Sequence, residues 1–158
     1  MKYAKILLCI GLTFLFLKSQ GQISKDEKKL YDIIMKYRQI KGLSSIPLSN
    51  SLTIVAQTHV KDLADNKPDL GDCNAHSWSD NGNWTPCCYT PDHAQAECMW
   101  NKPRELTTYK GNGYEIACGW NNSSSNFVMT PEYALKSWQG SSAHNAVIIN
   151  DGVWKTEW

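Results

Sequence analysis

The chain has no block of basic residues and no low-complexity tract, and its formal net charge is only +1. That excludes nucleic acid and acidic membrane surfaces as partners held by bulk charge, since such recognition needs a concentrated positive field. Long apolar runs are also missing, with one exception at the start. Ile6 to Leu17 is apolar, follows Lys2 and Lys5, and precedes the small residues of Ser19-Gln20-Gly21. A membrane-crossing helix needs roughly 20 apolar residues, so this run is too short and reads as the core of a signal peptide. Cys9 follows the bulky Leu8 inside the run, which argues against lipidation. We expect 1–21 to be removed and 22–158 to form one domain of a secreted or periplasmic protein, with no transmembrane segment after cleavage. An activated nucleophile is absent too: Ser77 beside His76 is the one adjacent pair, and adjacency in sequence is not the hydrogen-bond geometry that activation requires.

Rings and thiols are what the chain does hold. Seven Trp and seven Tyr point to a core and cleft built from side chains that also carry polar handles. Five cysteines follow the expected cleavage point: Cys73, Cys87, Cys88, Cys98 and Cys118. An exported chain meets an oxidising compartment, so these read as disulfides before zinc thiolates. Adjacent Cys87 and Cys88 should bond outward rather than to each other. The odd number leaves one thiol free or paired between chains, and spacing does not fix the connectivity.

Helix signals come first along the chain. Ser24-Lys25-Asp26-Glu27 is a capping box, and Leu30, Ile33, Ile34, Tyr37 and Ile40 follow at helical spacing up to Gly42. A second helix is expected from Ser49 or Asn50 to Asp65, burying Leu52, Val55, Ala56, Val60 and Leu63. His59 lies near that face and reads as a packed, hydrogen-bonded histidine. Gly71 to Asp92 has no sustained period, and a loop of this length is functional or stapled. Another helix is expected to begin near Asp92, with His93 solvated in its first turn, and to stop at Lys102-Pro103. Asn121-Asn122-Ser123 fits a glycosylation acceptor. Thr130-Pro131-Glu132 starts a helix with N-cap, N1 proline and early acid in order, and Val153 to Trp158 alternates as a strand would.

Three segments could carry chemistry: Asn74 to Trp78 with His76, Gly113 to Ala117 with Glu115, and Trp138 to Asn150 with His144. Each places its polar group beside an aromatic or apolar residue and a small one. Two imidazoles and a carboxylate would suit a divalent cation, zinc above all, or could act as acid, base and orienter without metal.

The order of these segments, N-A-H-S-W, then G-Y-E-I-A, then W-Q-G-S-S-A-H-N-A-V-I-I after the Asn50 to Leu63 helix, resembles the CAP superfamily. That group includes cysteine-rich secretory proteins, antigen 5 and pathogenesis-related proteins. The spacing of Trp138, Ser141 and His144 is similar to its bacterial SCP-type branch. The resemblance covers nearly all of 22–158. It implies an α/β fold, an α-β-α sandwich whose cleft holds His76, Glu115 and His144, with His76 and His144 as metal ligands and Glu115 nearby. Ser141 stands where animal and plant members carry a second cleft glutamate, Ala143 replaces a glycine, and Tyr114 intrudes before Glu115. The family's closing strands would follow Trp158, so the sheet is expected to be truncated or closed differently.

Three functions fit this reading. The first is a non-catalytic binding domain for a small molecule, lipid or protein, with Zn2+ or another divalent cation in the cleft. The second is a metal-dependent or Glu/His hydrolase of peptidase type. The third is a disulfide-braced structural or interaction module.

Overall fold

A computed structural model describes residues 22–119 and 128–156. The expected signal peptide, the acceptor at Asn121 to Ser123 and the last two residues lie outside that range. Helix α1, Lys25–Ile40, starts where the capping box puts it: the Ser24 hydroxyl accepts from Glu27 N, and the Glu27 carboxylate accepts from Ser24 N. Helix α2, Asn50–Asn66, is capped by the Ser49 hydroxyl and ends as Lys67 turns left-handed. Helices α3, Ala96–Leu106, α4, Pro131–Gly140, and α5, Ser142–Ile149, follow, and a 3-10 turn spans Gly152–Thr156.

The expected α-β-α sandwich is not what these residues form. The described residues are 52% helix and 2% strand, and no sheet occurs among them. Strand pairing there is a single antiparallel bridge, in which Trp78 N donates to Cys87 O at 2.9 Å and Cys87 N to Trp78 O at 3.0 Å. The physical reason lies in where extended backbone finds its partners. Segment 113–119, a natural strand candidate, gives its polar groups to helices instead. Gly113 N donates to Trp100 O, and Ala117 O accepts from the Trp138 indole at 3.2 Å. The expected terminal strand also fails. Asn150 and Gly152 both take positive φ, and the chain then coils, with Trp154 half-buried and Val153 77% exposed.

Three helix expectations need correction. His93 adopts φ of +60°, which interrupts any helical path from Asp92, so α3 begins only at Ala96. Pro103 lies inside α3 rather than after it. In α2, Leu52 and Val60 are exposed, while His59 and Asp62 form the buried positions.

The apolar core is small. Ala134, Trp138 and Ile148 are buried where α1, α4 and α5 meet, with Leu30, Ile34, Ile116 and Leu135 packed against them. Arg38, 4% exposed, ties the end of α1 to that of α5. Its guanidinium donates to Ile148 O and to Asn150 Oδ1, both at 2.6 Å, and to Ser44 O at 3.0 Å. Helices α2 and α3 pack as a second group. The loop before α3 is held by disulfides Cys73–Cys88 and Cys87–Cys98, so the neighbouring cysteines do bond outward, and Cys118 is free.

Two measurements follow from this architecture. Arg38→Ala should lower the unfolding free energy by about 3 kcal/mol, because three acceptors lose a charged donor; urea denaturation reads the change. Thiol titration of the unfolded, unreduced chain lacking 1–21 should find about one thiol, and Cys118→Ala should remove it.

Candidate functional site

His76 is positioned by its own loop. Asn74 turns the backbone by accepting from His76 N through its side chain at 3.0 Å, while Asn74 N donates to Tyr89 O at 2.8 Å. One residue on, the Ser77 hydroxyl accepts from Tyr89 N at 2.9 Å and is fully buried. The Trp78–Cys87 bridge and the two disulfides close the loop on either side. With both ends tied, the imidazole keeps its place at little further entropic cost.

Glu115 is positioned by a close approach of backbone to helix. Pro103 has no N–H to give the carbonyl one turn earlier, and Gly113 passes over this gap. A Cβ on Gly113 would sit 2.6 Å from Pro103 Cγ and 3.1 Å from Met99 O, so only glycine fits. Gly113 N then donates to Trp100 O at 3.0 Å, and Glu115 N meets the Met99 sulfur at 3.2 Å. Further along, Ile116 and Cys118 pack into the α1–α4–α5 core. The segment is therefore a seam between the two helix groups, and Glu115 sits in it.

The Glu115 carboxylate bridges two imidazoles. His59 Nδ1 lies 2.6 Å from Oε1, and His76 Nδ1 lies 2.8 Å from Oε2. The other ring nitrogen of His59 is 2.9 Å from Ser77 O. A carbonyl can only accept, so His59 Nε2 carries a proton. Burial pushes the Glu115 carboxyl up, but the hydrogen bonds and charges of His59 and His76 outweigh it and hold it below its ordinary value. Burial likewise pushes His59 down, and is outweighed by Glu115, the Ser77 carbonyl and the charge of Asp62, so its net direction is up. The consistent assignment is an ionised Glu115 receiving a proton from each Nδ1. His59 is then an imidazolium, stacked on Trp78 at 4.2 Å with the rings 8° apart. Such stacking over indole adds a cation–π attraction.

His76 thus has Nδ1 committed to Glu115, which leaves Nε2 as the ring nitrogen outside that contact. The ring is half-buried and stands edge-on to Tyr89 at 5.3 Å. His144 approaches from the first turn of α5, where the Ser141 hydroxyl caps the helix. Burial pushes the His144 pKa down, and the charge of His76 adds a smaller push in the same direction. Of the three expected residues, His76 and Glu115 are in direct contact, while His144 makes no hydrogen bond or ring contact with either among those the structure shows.

Two features were not foreseen. His59, expected to be packed and hydrogen-bonded, is both at 1% exposed, but its partner, Glu115, was not foreseen. Asp62, one helical turn on, receives Ser79 N at 2.8 Å and the Ser79 hydroxyl at 2.5 Å, fixing the far end of the His76 loop to α2. The available signal was a histidine and an aspartate at i and i+3 on one helix, which share a face. Beside the cluster, Leu52, Val55, Ala56, Met99, Pro103 and Tyr114 line an apolar pocket of about 100 Å³ that reaches Glu115 and Trp78.

Among the described residues, no group of three or more His, Cys, Asp or Glu is arranged to hold a metal ion. Glu115 has both oxygens taken by imidazoles, so it suits the role of orienter rather than ligand. His76 Nε2 and the ring of His144 are the nitrogens that fit a cation, which would need water or ligand oxygen to complete its shell.

The pKa directions set a pH window for stability. Glu115 is lowered from 4.5, so its contribution is present above that value and is lost as pH falls through the folded value. His59 is raised from 6.5, so its contribution is complete below that value and fades as pH rises through the folded one. Thermal melts should therefore plateau between these pH values and fall on both sides, and Glu115→Gln should make both limbs shallower. No family model, curated protein or solved structure matches the chain.

Proposed function

We propose that the chain is an exported binding protein whose cleft holds a divalent cation, zinc by ligand type, between His76 and His144. The observation that carries this is the Glu115 to His76 hydrogen bond at 2.8 Å. A carboxylate on Nδ1 fixes the tautomer, aims Nε2 outward and raises its basicity, which is how proteins prepare a histidine for metal. His144, held neutral by its lowered pKa, supplies a second nitrogen with a free lone pair. The bound cation would present open positions to an oxygen-bearing small molecule, lipid headgroup or protein side chain. The two disulfides support the exported reading, as does the signal peptide expected at 1–21. No helix of the described residues is long and apolar enough to cross a membrane. Kinship with the CAP superfamily rests on the order of the three motifs alone.

Binding is favoured over hydrolysis by two details of the site. The hydroxyl next to His76, that of Ser77, is buried and bonded to Tyr89 N, which removes it as a nucleophile. Glu115 is a poor base because its charge is already stabilised by two donors.

Mature protein loaded with zinc and dialysed should retain about one ion per chain, the stoichiometry of a single site. The His76→Ala, His144→Ala double variant should retain none. Metal analysis of both reads this directly, and equal retention would discard the site.

A further inference from the structure

We propose that His59 is a positioning residue for the cleft: donating from both ring nitrogens, to Ser77 O and to Glu115, it holds the carboxylate in the one place from which it sets the tautomer and direction of His76. The proposal rests on the cleft reading above insofar as His76 Nε2 is the working nitrogen, but its geometry stands separately.

Three observations carry it. First, the partners of His59 lie on both segments that build the site. Ser77 belongs to the loop of His76 and Glu115 to the seam after α3, with α2 supplying His59 itself. One ring thus spans three otherwise separate pieces of chain. Second, the contact is short and sheltered: Nδ1 to Oε1 is 2.6 Å, and the His59 side chain is 2% exposed against 17% for the other donor, His76. The better-buried donor controls the carboxylate, since water competes least with it. Third, the carboxylate has two oxygens and each takes one imidazole. Occupying Oε1 leaves Oε2 directed at His76 Nδ1, so His59 acts on His76 only through Glu115. The Trp78 ring stacked on His59 keeps the donor from swinging away.

The decisive readout is the tautomer of His76 in metal-free protein, measured by long-range proton–nitrogen NMR at pH 8. In the unaltered chain His76 should be dominantly Nδ1–H, and both ring N–H protons of His59 should be visible and slow to exchange. In His59→Gln the Nδ1–H dominance should give way to a mixture. Glu115→Gln should do the same, and the double variant should look like Glu115→Gln alone, because the two residues act in series. A His76 tautomer unchanged in His59→Gln but altered in Glu115→Gln would overturn the proposal and leave His59 as packing only. Additive effects in the double variant would overturn it too. Should His59→Gln not fold, the unaltered chain still decides: a His59 with one ring N–H exchanging freely sinks the proposal. Zinc retention is the separate arm. His59→Gln should weaken it roughly 10- to 100-fold, as loss of an outer-shell partner does. A chain with the expected His76 tautomer and no zinc retention keeps the His59 assignment and removes the cation reading.

Discussion

Everything about the cleft depends on one carboxylate satisfying two imidazoles at once. Glu115 would be costly to leave charged among helices without donors. Two Nδ1 groups at 2.6 and 2.8 Å remove that cost and, in doing so, bind α2, the disulfide-held loop and the seam after α3 to one another. Oxygens and nitrogens are spent so that only one imidazole nitrogen of the trio, His76 Nε2, is left for outside business. The rest of the fold can be read as the means of delivering three segments to this point.

Delivery relies on local devices and little on the apolar core. That core has three buried members, Ala134, Trp138 and Ile148, and lies on the α1–α4–α5 side. On the side of the cleft, the backbone is placed by Gly113 crossing the gap at Pro103, by the Asn74 turn, and by two disulfides within 26 residues of loop and helix. A small domain buries too little apolar surface to position loops by packing alone, and covalent closure takes over.

What was legible in the sequence divides along the same line. Local signals were written plainly: the Ser24 box, the Ser49 and Thr130 caps and the Pro131 start each rest on residues a few positions apart. His76 and Glu115 could be picked out because their local setting, which by itself also fits separately satisfied polar groups, coincides with the motif order of the resemblance. The sheet was not local, having come from resemblance and from period-two alternation, and alternation only says that one face could be covered. It does not supply the neighbouring strand, and here Ala117 and Gly113 found helix partners instead. For His59 the packed, hydrogen-bonded reading holds, and what the sequence does not name is the partner. A histidine on a helix face looks like packing until the acceptor 56 residues away is known.

The energetics argue that this polar cluster is kept for chemistry. A buried ion pair is poor evidence for stability, because desolvating two charges consumes most of their attraction, and well-packed apolar residues in the same space are often as good or better. Apolar side chains at 59, 76 and 115 together would need no partners among themselves, leaving Ser77 O to find another donor, and one at 115 would adjoin the apolar pocket lined by Leu52, Val55 and Met99. The chain instead carries three titratable side chains whose protons must all be in the right places. That arrangement confers nothing on folding that apolar residues could not, but it does fix which nitrogen of His76 is open and where it points. On the proposed reading, keeping that nitrogen, Nε2, available is what the cluster is for.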